Sequence, residues 1–188
     1  MKKVIQMILT LSLIGIFSGG VLSKINDWAV PLIEANKKAA TEKAIFLVQP
    51  EGKNYERIKE APFEAYKVFD EENNLIGYSL VYEGNGFQGK IRLMVGVSDD
   101  LNKITALEIL EQVETPGLGT KVTEEPFTSQ FKNLSASPQI NWVKGVKPDH
   151  PNEIQVITGA TISSKAVVAI IHSGIEQMRK LYASGGVK

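Results

Sequence analysis

Apolar and polar positions change their spacing several times along the chain, and each change marks an element. From Val4 to Leu22 the residues are uncharged and largely apolar. Nineteen residues at helical rise span about 28 Å, close to the hydrocarbon thickness of a bilayer. From Val30 to Val48, Leu32, Ile33, Ala40, Ala44, Phe46 and Leu47 recur among Ala, Lys and Glu, which predicts a helix. Pro31 fits its first turn or a bend where the apolar run ends. After Pro50-Glu51-Gly52 the period becomes that of strands, over 65–69, 75–82, 91–97 and 104–110. Their short links predict an antiparallel meander. A short helix is expected over 124–134, with Pro126 early in it, then irregular chain with short strands at 140–143 and 153–157. Last comes the strongest helical stripe: Val167, Ile170, Ile171, Ile175, Met178, Leu181 and Tyr182. Ser163 or Ser164 is its expected N-cap.

Composition narrows the class. The chain has 188 residues, with 21 basic and 21 acidic side chains, which gives room for one domain plus an anchor and no basic excess for nucleic acid. It has no cysteine, which excludes disulfides, thiolate metal sites and iron–sulfur ligation. His150 and His172 are far apart in sequence and receive no role. Met1-Lys2-Lys3 ahead of the apolar run predicts a cytoplasmic N-terminus with the rest delivered outside, and Trp28 falls where an interfacial aromatic sits. A retained anchor is preferred to a cleaved signal peptide, for which Ser18-Gly19-Gly20 would be the small residues near the cut. The expected division is an anchor over 1–23, a stalk and first helix over 24–50, and a domain over 51–188.

Three strings carry the candidate chemistry. The first is Thr158-Gly159-Ala160-Thr161-Ile162-Ser163-Ser164, which leads a strand into the last helix. A helix N-terminus offers unpaired N–H groups to an anion, and a phosphate there would lie beside the Thr161 hydroxyl. On local physics alone, a tight strand-to-helix turn accounts for the same residues. The second, Glu114-Thr115-Pro116-Gly117-Leu118-Gly119-Thr120, has the Pro-Gly order of a type II turn, with glycines that let backbone approach a flat ligand. A plain surface turn accounts for it equally. The third, Gly84-Asn85-Gly86-Phe87-Gln88-Gly89, spells a dinucleotide fingerprint, but a strand follows where a helix is required. It is read instead as a glycine-rich hairpin, open to the approach of a ligand.

Taken together and in chain order, the strings resemble the FMN-binding domain shared by the RnfG and NqrC proteins. The resemblance extends over nearly the whole chain, anchor included. It implies an α+β fold: a single transmembrane helix followed by one extracytoplasmic domain with a largely antiparallel sheet flanked by helices. It also implies FMN bound covalently as a phosphoester of Thr161. Thr158, Gly159, Ala160, Ser163, Ser164, Thr115, Gly117, Leu118, Gly119 and Thr120 are the further residues expected to bind the cofactor, with backbone N–H donors of 117–120 as candidates for the ring. Lys121 and Lys165 are further candidate partners. No catalytic residue and no metal site is expected.

By the same resemblance the chain would be a non-autonomous electron-relay subunit of an ion-translocating ferredoxin:NAD oxidoreductase in the cell inner membrane. Its partners would be the other membrane subunits, a flavin transferase and lipid. NqrC, from the sodium-translocating NADH:quinone oxidoreductase, is the neighbouring assignment; its chains tend to be longer. A module binding FMN non-covalently and an assembly protein without cofactor remain as readings from other classes. One position departs from the family pattern: Gln155 stands six residues before Thr161, where Asp is frequent, with Glu153 two residues earlier.

Overall fold

Where the sequence predicts two helical stretches, there is one helix, α1 (Lys2–Val48), of 47 residues with Pro31 inside it. Residues 23–29 contain no glycine or proline to end a helix, and a proline there removes a single backbone donor. The computed structural model describes residues 1–186, so positions 187 and 188 of the expected domain lie outside the described residues. The chain divides after Ala40 into two units. In the first, Val4, Ile5, Met7, Ile8, Leu11 and Ile14 are all exposed. Among the described residues, α1 is the one helix long and apolar enough to cross a membrane.

The second unit begins with the last turns of α1. Thr41, Ala44, Ile45 and Val48 are its buried positions, one face of a helix at the i, i+3, i+4, i+7 spacing. A six-stranded sheet follows: β1 (Asn54–Arg57), β2 (Ala65–Phe69), β3 (Leu75–Asn85), β4 (Lys90–Ser98), β5 (Lys103–Gln112) and β6 (Leu134–Ser135). The strands lie in that spatial order and every pair is antiparallel, the expected meander with one strand added at each edge. The added β1 is polar and largely exposed, so apolar periodicity does not reveal it. A separate parallel pair joins β7 (Asn141–Val143) to β8 (Glu153–Gln155).

Both faces of the sheet are covered, which is why the middle of β3 is buried without alternation. Ala44, Ile45 and Val48 pack with Val68, Val81 and Met94 on one face. On the other, Tyr78, Leu80, Tyr82, Leu93, Val95 and Ile104 meet Val167, Ile171, Ile175 and Met178 of the last helix, α3 (Thr161–Ala183). A bulge keeps the second face apolar. Gly96 pairs with Ala106 and Val97 with Ile104, so Thr105 is the extra residue between them. Its hydroxyl donates to the Val48 carbonyl at 2.6 Å, satisfying the end of α1.

The helix expected over 124–134 is instead broken. A 3-10 turn at Gly119–Thr123 runs into the short helix α2 (Glu125–Thr128), a second 3-10 turn at Ser129–Phe131, and then β6. Pro126 occupies the first turn of α2, where its missing N–H costs no intrahelical bond. Phe127 and Phe131 anchor this segment as an edge-on pair, 5.4 Å between ring centres.

Candidate functional site

Helix α3 starts at Thr161, two to three residues before the expected cap. Its N-cap is Ala160, and no side chain caps its first turn. The two serines serve elsewhere. The Ser164 hydroxyl donates to Ala160 O at 2.9 Å and accepts from Ile157 N–H at 3.1 Å, which fixes the strand-to-helix turn from inside. The Ser163 hydroxyl donates to Glu114 Oε2. Gly159 within the turn has φ +86°, a conformation that a side chain would strain.

The second string forms the turn its composition predicts. Leu118 N–H donates to Thr115 O at 3.2 Å and Gly117 has φ +73°, the third-position geometry of a type II turn. The Gly117 N–H donates to Thr120 Oγ1 at 3.0 Å and the Thr120 N–H to Thr115 O at 3.2 Å. The N–H groups of Gly117, Leu118 and Thr120 are therefore used inside the loop, and for these three the expectation that they face a ring is corrected. What the loop offers outward is the half-exposed Leu118 side chain. The third string caps the β3–β4 hairpin, closed by Gly86 N–H to Gly89 O at 2.6 Å, and leaves Phe87 exposed at its tip.

These three segments meet at one cleft of about 320 Å³, lined by Phe87, Thr115, Leu118, Gly119, Lys144, Gly159, Ala160, Thr161, Ile162 and Ser163. Among the residues singled out from the sequence, Thr161, Gly159, Ala160, Ser163, Thr115, Leu118 and Gly119 are thus brought together. Gly117, Thr120 and Ser164 shape the walls without lining them. Thr158 and Lys121 line a neighbouring cleft of about 250 Å³ with Gln130 and Gln155. Lys165 lies over the Trp142 ring, 3.7 Å from its centre. The cation of the main cleft is Lys144, which no local pattern singles out.

Beneath the cleft lies Glu114, 4% exposed, named in the second string but given no role there. Its Oε1 accepts from the N–H groups of Gln88 at 3.0 Å and Gly89 at 3.4 Å, and its Oε2 from Ser163. Burial pushes the carboxyl's pKa up, but Ser163 and the N–H groups of Gln88, Gly89 and Phe87 outweigh that and hold it below the ordinary glutamate value.

The residues present fit FMN, which pairs a flat apolar ring system with a phosphate. Phe87, Leu118 and Ile162 give the cleft exposed apolar walls. The uncapped N-terminus of α3, a threonine hydroxyl and Lys144 give it an anion-accepting end. Among the described residues no acidic or histidine cluster could hold a metal ion.

Comparison with known proteins agrees with this reading. The family model described as FMN-binding domain matches residues 86–176, which contain all of the cleft lining. The chain is 36% identical over 111 residues to the G subunit of the ion-translocating oxidoreductase complex of Methanosarcina acetivorans, covering 59% of this chain and 56% of that one. It is 35% identical over 125 residues to the G subunit of the Na(+)-translocating ferredoxin:NAD(+) oxidoreductase complex of Acetobacterium woodii, covering 65% and 59%. The chain thus spans somewhat more than half the length of these curated relatives. The fold matches the crystal structure of NqrC from Shewanella oneidensis with a TM-score of 0.58 at 24% identity, over 72% of this chain and 74% of that one. The resemblance read from the three strings, and the α+β fold it implied, are borne out.

Proposed function

We propose, starting from the FMN-binding domain that this chain resembles, that it is the electron-relay subunit of a membrane-bound, ion-translocating ferredoxin:NAD oxidoreductase of the Rnf type. In this reading α1 anchors the chain by a single pass and the second unit carries FMN outside the cytoplasm as a phosphoester of Thr161. The observation that carries it is the convergence of three sequence-distant strings on one cleft with Thr161 in its wall.

FMN, when bound, supplies a ring that accepts and returns electrons. The chain's own residues do the rest. The first turn of α3 and Lys144 stabilise the phosphate, the helix end by about 0.3–1 kcal/mol where exposed. Phe87, Leu118 and Ile162 exclude water from the ring and fix its orientation. A covalent link at Thr161 keeps the cofactor in a compartment that does not replace it. Neither the cleft nor the buried Glu114 offers an acid or base placed for substrate chemistry, which favours a relay dependent on partner subunits.

The test is a denaturing gel viewed under ultraviolet light, with the full chain made beside a flavin transferase. A fluorescent band that disappears in Thr161→Ala supports the covalent relay. Flavin lost on denaturation would establish a non-covalent module; Gln155 in place of Asp keeps the cofactor-free assembly reading alive. A colourless protein would leave an assembly role. For topology, a reporter fused after Lys188 is expected to be active outside the cytoplasm, and activity inside would overturn the orientation.

A further inference from the structure

We propose that Glu114 is the positioning residue of the cleft: its carboxylate ties the tip of the β3–β4 hairpin to the first turn of α3 and so sets the cleft's shape before any ligand enters. The functional consequence rests on reading the cleft as the flavin site; the geometric claim does not.

Glu114 follows β5 closely and is almost wholly buried, yet it belongs to neither apolar cluster that holds the sheet. Its carboxylate's hydrogen-bond partners are polar groups from distant parts of the chain. One carboxylate oxygen takes the N–H groups of Gln88 and Gly89, the other takes the Ser163 hydroxyl, and its own N–H donates to Gln112 Oε1 at 2.6 Å. These partners are all neutral. A buried carboxylate without a cation depends on every one of those donors, because an unmatched buried charge is costly. The dependence is mutual, since this side chain bridges the hairpin tip and the helix turn.

Two glycines bear the imprint of the same group. A methyl on Gly86 would overlap Oε1 of Glu114. A methyl on Gly119 would lie 2.7 Å from its Cβ, 2.8 Å from its Oε2 and 2.9 Å from Ser163 Oγ. Sequence alone reads both positions as openings for a ligand. The structure shows that they make room for a carboxylate. Each of the three strings thus contributes to one arrangement around the buried carboxylate: Ser163 from the first, Glu114 and Gly119 from the second, Gly86, Gln88 and Gly89 from the third. A site whose walls are fixed in advance binds without the cost of ordering them.

The experiment uses the full chain in detergent, produced without a flavin transferase, and follows backbone amide exchange in 86–89 and 161–164. In Glu114→Ala, exchange in 86–89 is expected to quicken by about tenfold or more, the effect of losing ~1.4 kcal/mol locally. Protection in β1 and β2 is expected to stay unchanged. Glu114→Gln should restore protection, because its amide oxygen accepts from the Gln88 and Gly89 N–H groups while its nitrogen donates to Ser163. Glu114→Asp, one methylene shorter, should not. Equal exchange of 86–89 in wild type and Glu114→Ala would overturn the proposal, as would rescue by Asp as complete as by Gln. If Glu114→Ala does not fold, Gly86→Ala tests the same link from the hairpin side, and unchanged exchange there would count against it. Calorimetry with FMN on the same proteins should show affinity lost in Glu114→Ala and regained in Glu114→Gln. A wild type that binds no FMN would overturn the flavin reading alone, and the exchange result would still decide the positioning role.

Discussion

The Tyr82 hydroxyl donates to the backbone carbonyl of Gly174 at 2.6 Å, joining the middle of β3 to the middle of α3. Tyr82 is buried and Gly174 lies against its ring, where a methyl would overlap the aromatic carbons. Glycine in a helix interior is ordinarily a cost, and here close approach of the helix to the sheet requires it. Gly174→Ala is therefore expected to destabilise the fold by about 1–3 kcal/mol through overpacking. Tyr82→Phe should cost about 1 kcal/mol through the lost hydrogen bond. Chemical denaturation of both variants checks the order. A Gly174→Ala protein as stable as wild type would show that helix and sheet can separate freely.

Gln49, directly after α1, is 2% exposed, and its Nε2 donates to Tyr78 O at 3.1 Å and to Val97 O at 2.9 Å. One side chain thus serves two carbonyls on neighbouring strands. Gln49→Leu removes both donations and is expected to destabilise by about 2–4 kcal/mol, the cost of two buried carbonyls left without this donor. Thermal unfolding should fall accordingly, with the far-ultraviolet spectrum of the folded state unchanged.

The two lysines near the cleft are expected to behave differently. Lys165 is engaged with Trp142, so Lys165→Met in a Trp28→Phe background should alter Trp142 emission at a cost below about 1 kcal/mol. FMN affinity should hardly change. Lys144 lines the cleft itself, and Lys144→Ala should weaken FMN binding in flavin-free protein by roughly two- to fivefold, as for one exposed ion pair. The reverse pattern would return the phosphate contact to Lys165.

Asp100 governs an acid-sensitive turn. The Ser98 hydroxyl at 2.5 Å, with Asn102 N–H at 2.9 Å and Asn102 Nδ2 at 3.0 Å, donates to its carboxylate and brings its pKa down to about 2. Leu101 beside it holds φ +59°, which the turn must maintain. A carboxyl depressed in the folded state contributes stability above its unfolded pKa of about 3.9, lost as pH falls towards the folded value. Carboxyl-carbon NMR should show Asp100 titrating near 2, and Asp100→Asn should flatten the stability profile between about pH 4 and 2.

What the sequence disclosed follows from the range of the interactions involved. The meander was legible because alternation and short links are local, and so was the type II turn at Pro116-Gly117. Boundaries failed where distant groups intervened. Ser163 and Ser164 have the composition of an N-cap, yet Glu114 draws one hydroxyl away and the 157–160 turn uses the other, so α3 begins earlier, at Thr161. At its far end Tyr182 belongs to the apolar stripe by spacing but is exposed, because the buried face ends with Met178. Lys144 reaches the cleft through folding alone, with no pattern around it to announce it, and Ile162 lies within the first string but received no role there.

The way Gly86 and Gly119 crowd the Glu114 side chain has an evolutionary corollary. What is admissible at either glycine depends on what stands at 114, so the three sites form a single linked choice. A lineage that shortened the acid would be free to enlarge residue 86, whereas at 119 the Cβ of residue 114 itself still stands in the way. Alanine at 86 combined with a shorter residue at 114 should then be tolerated better than that alanine alone.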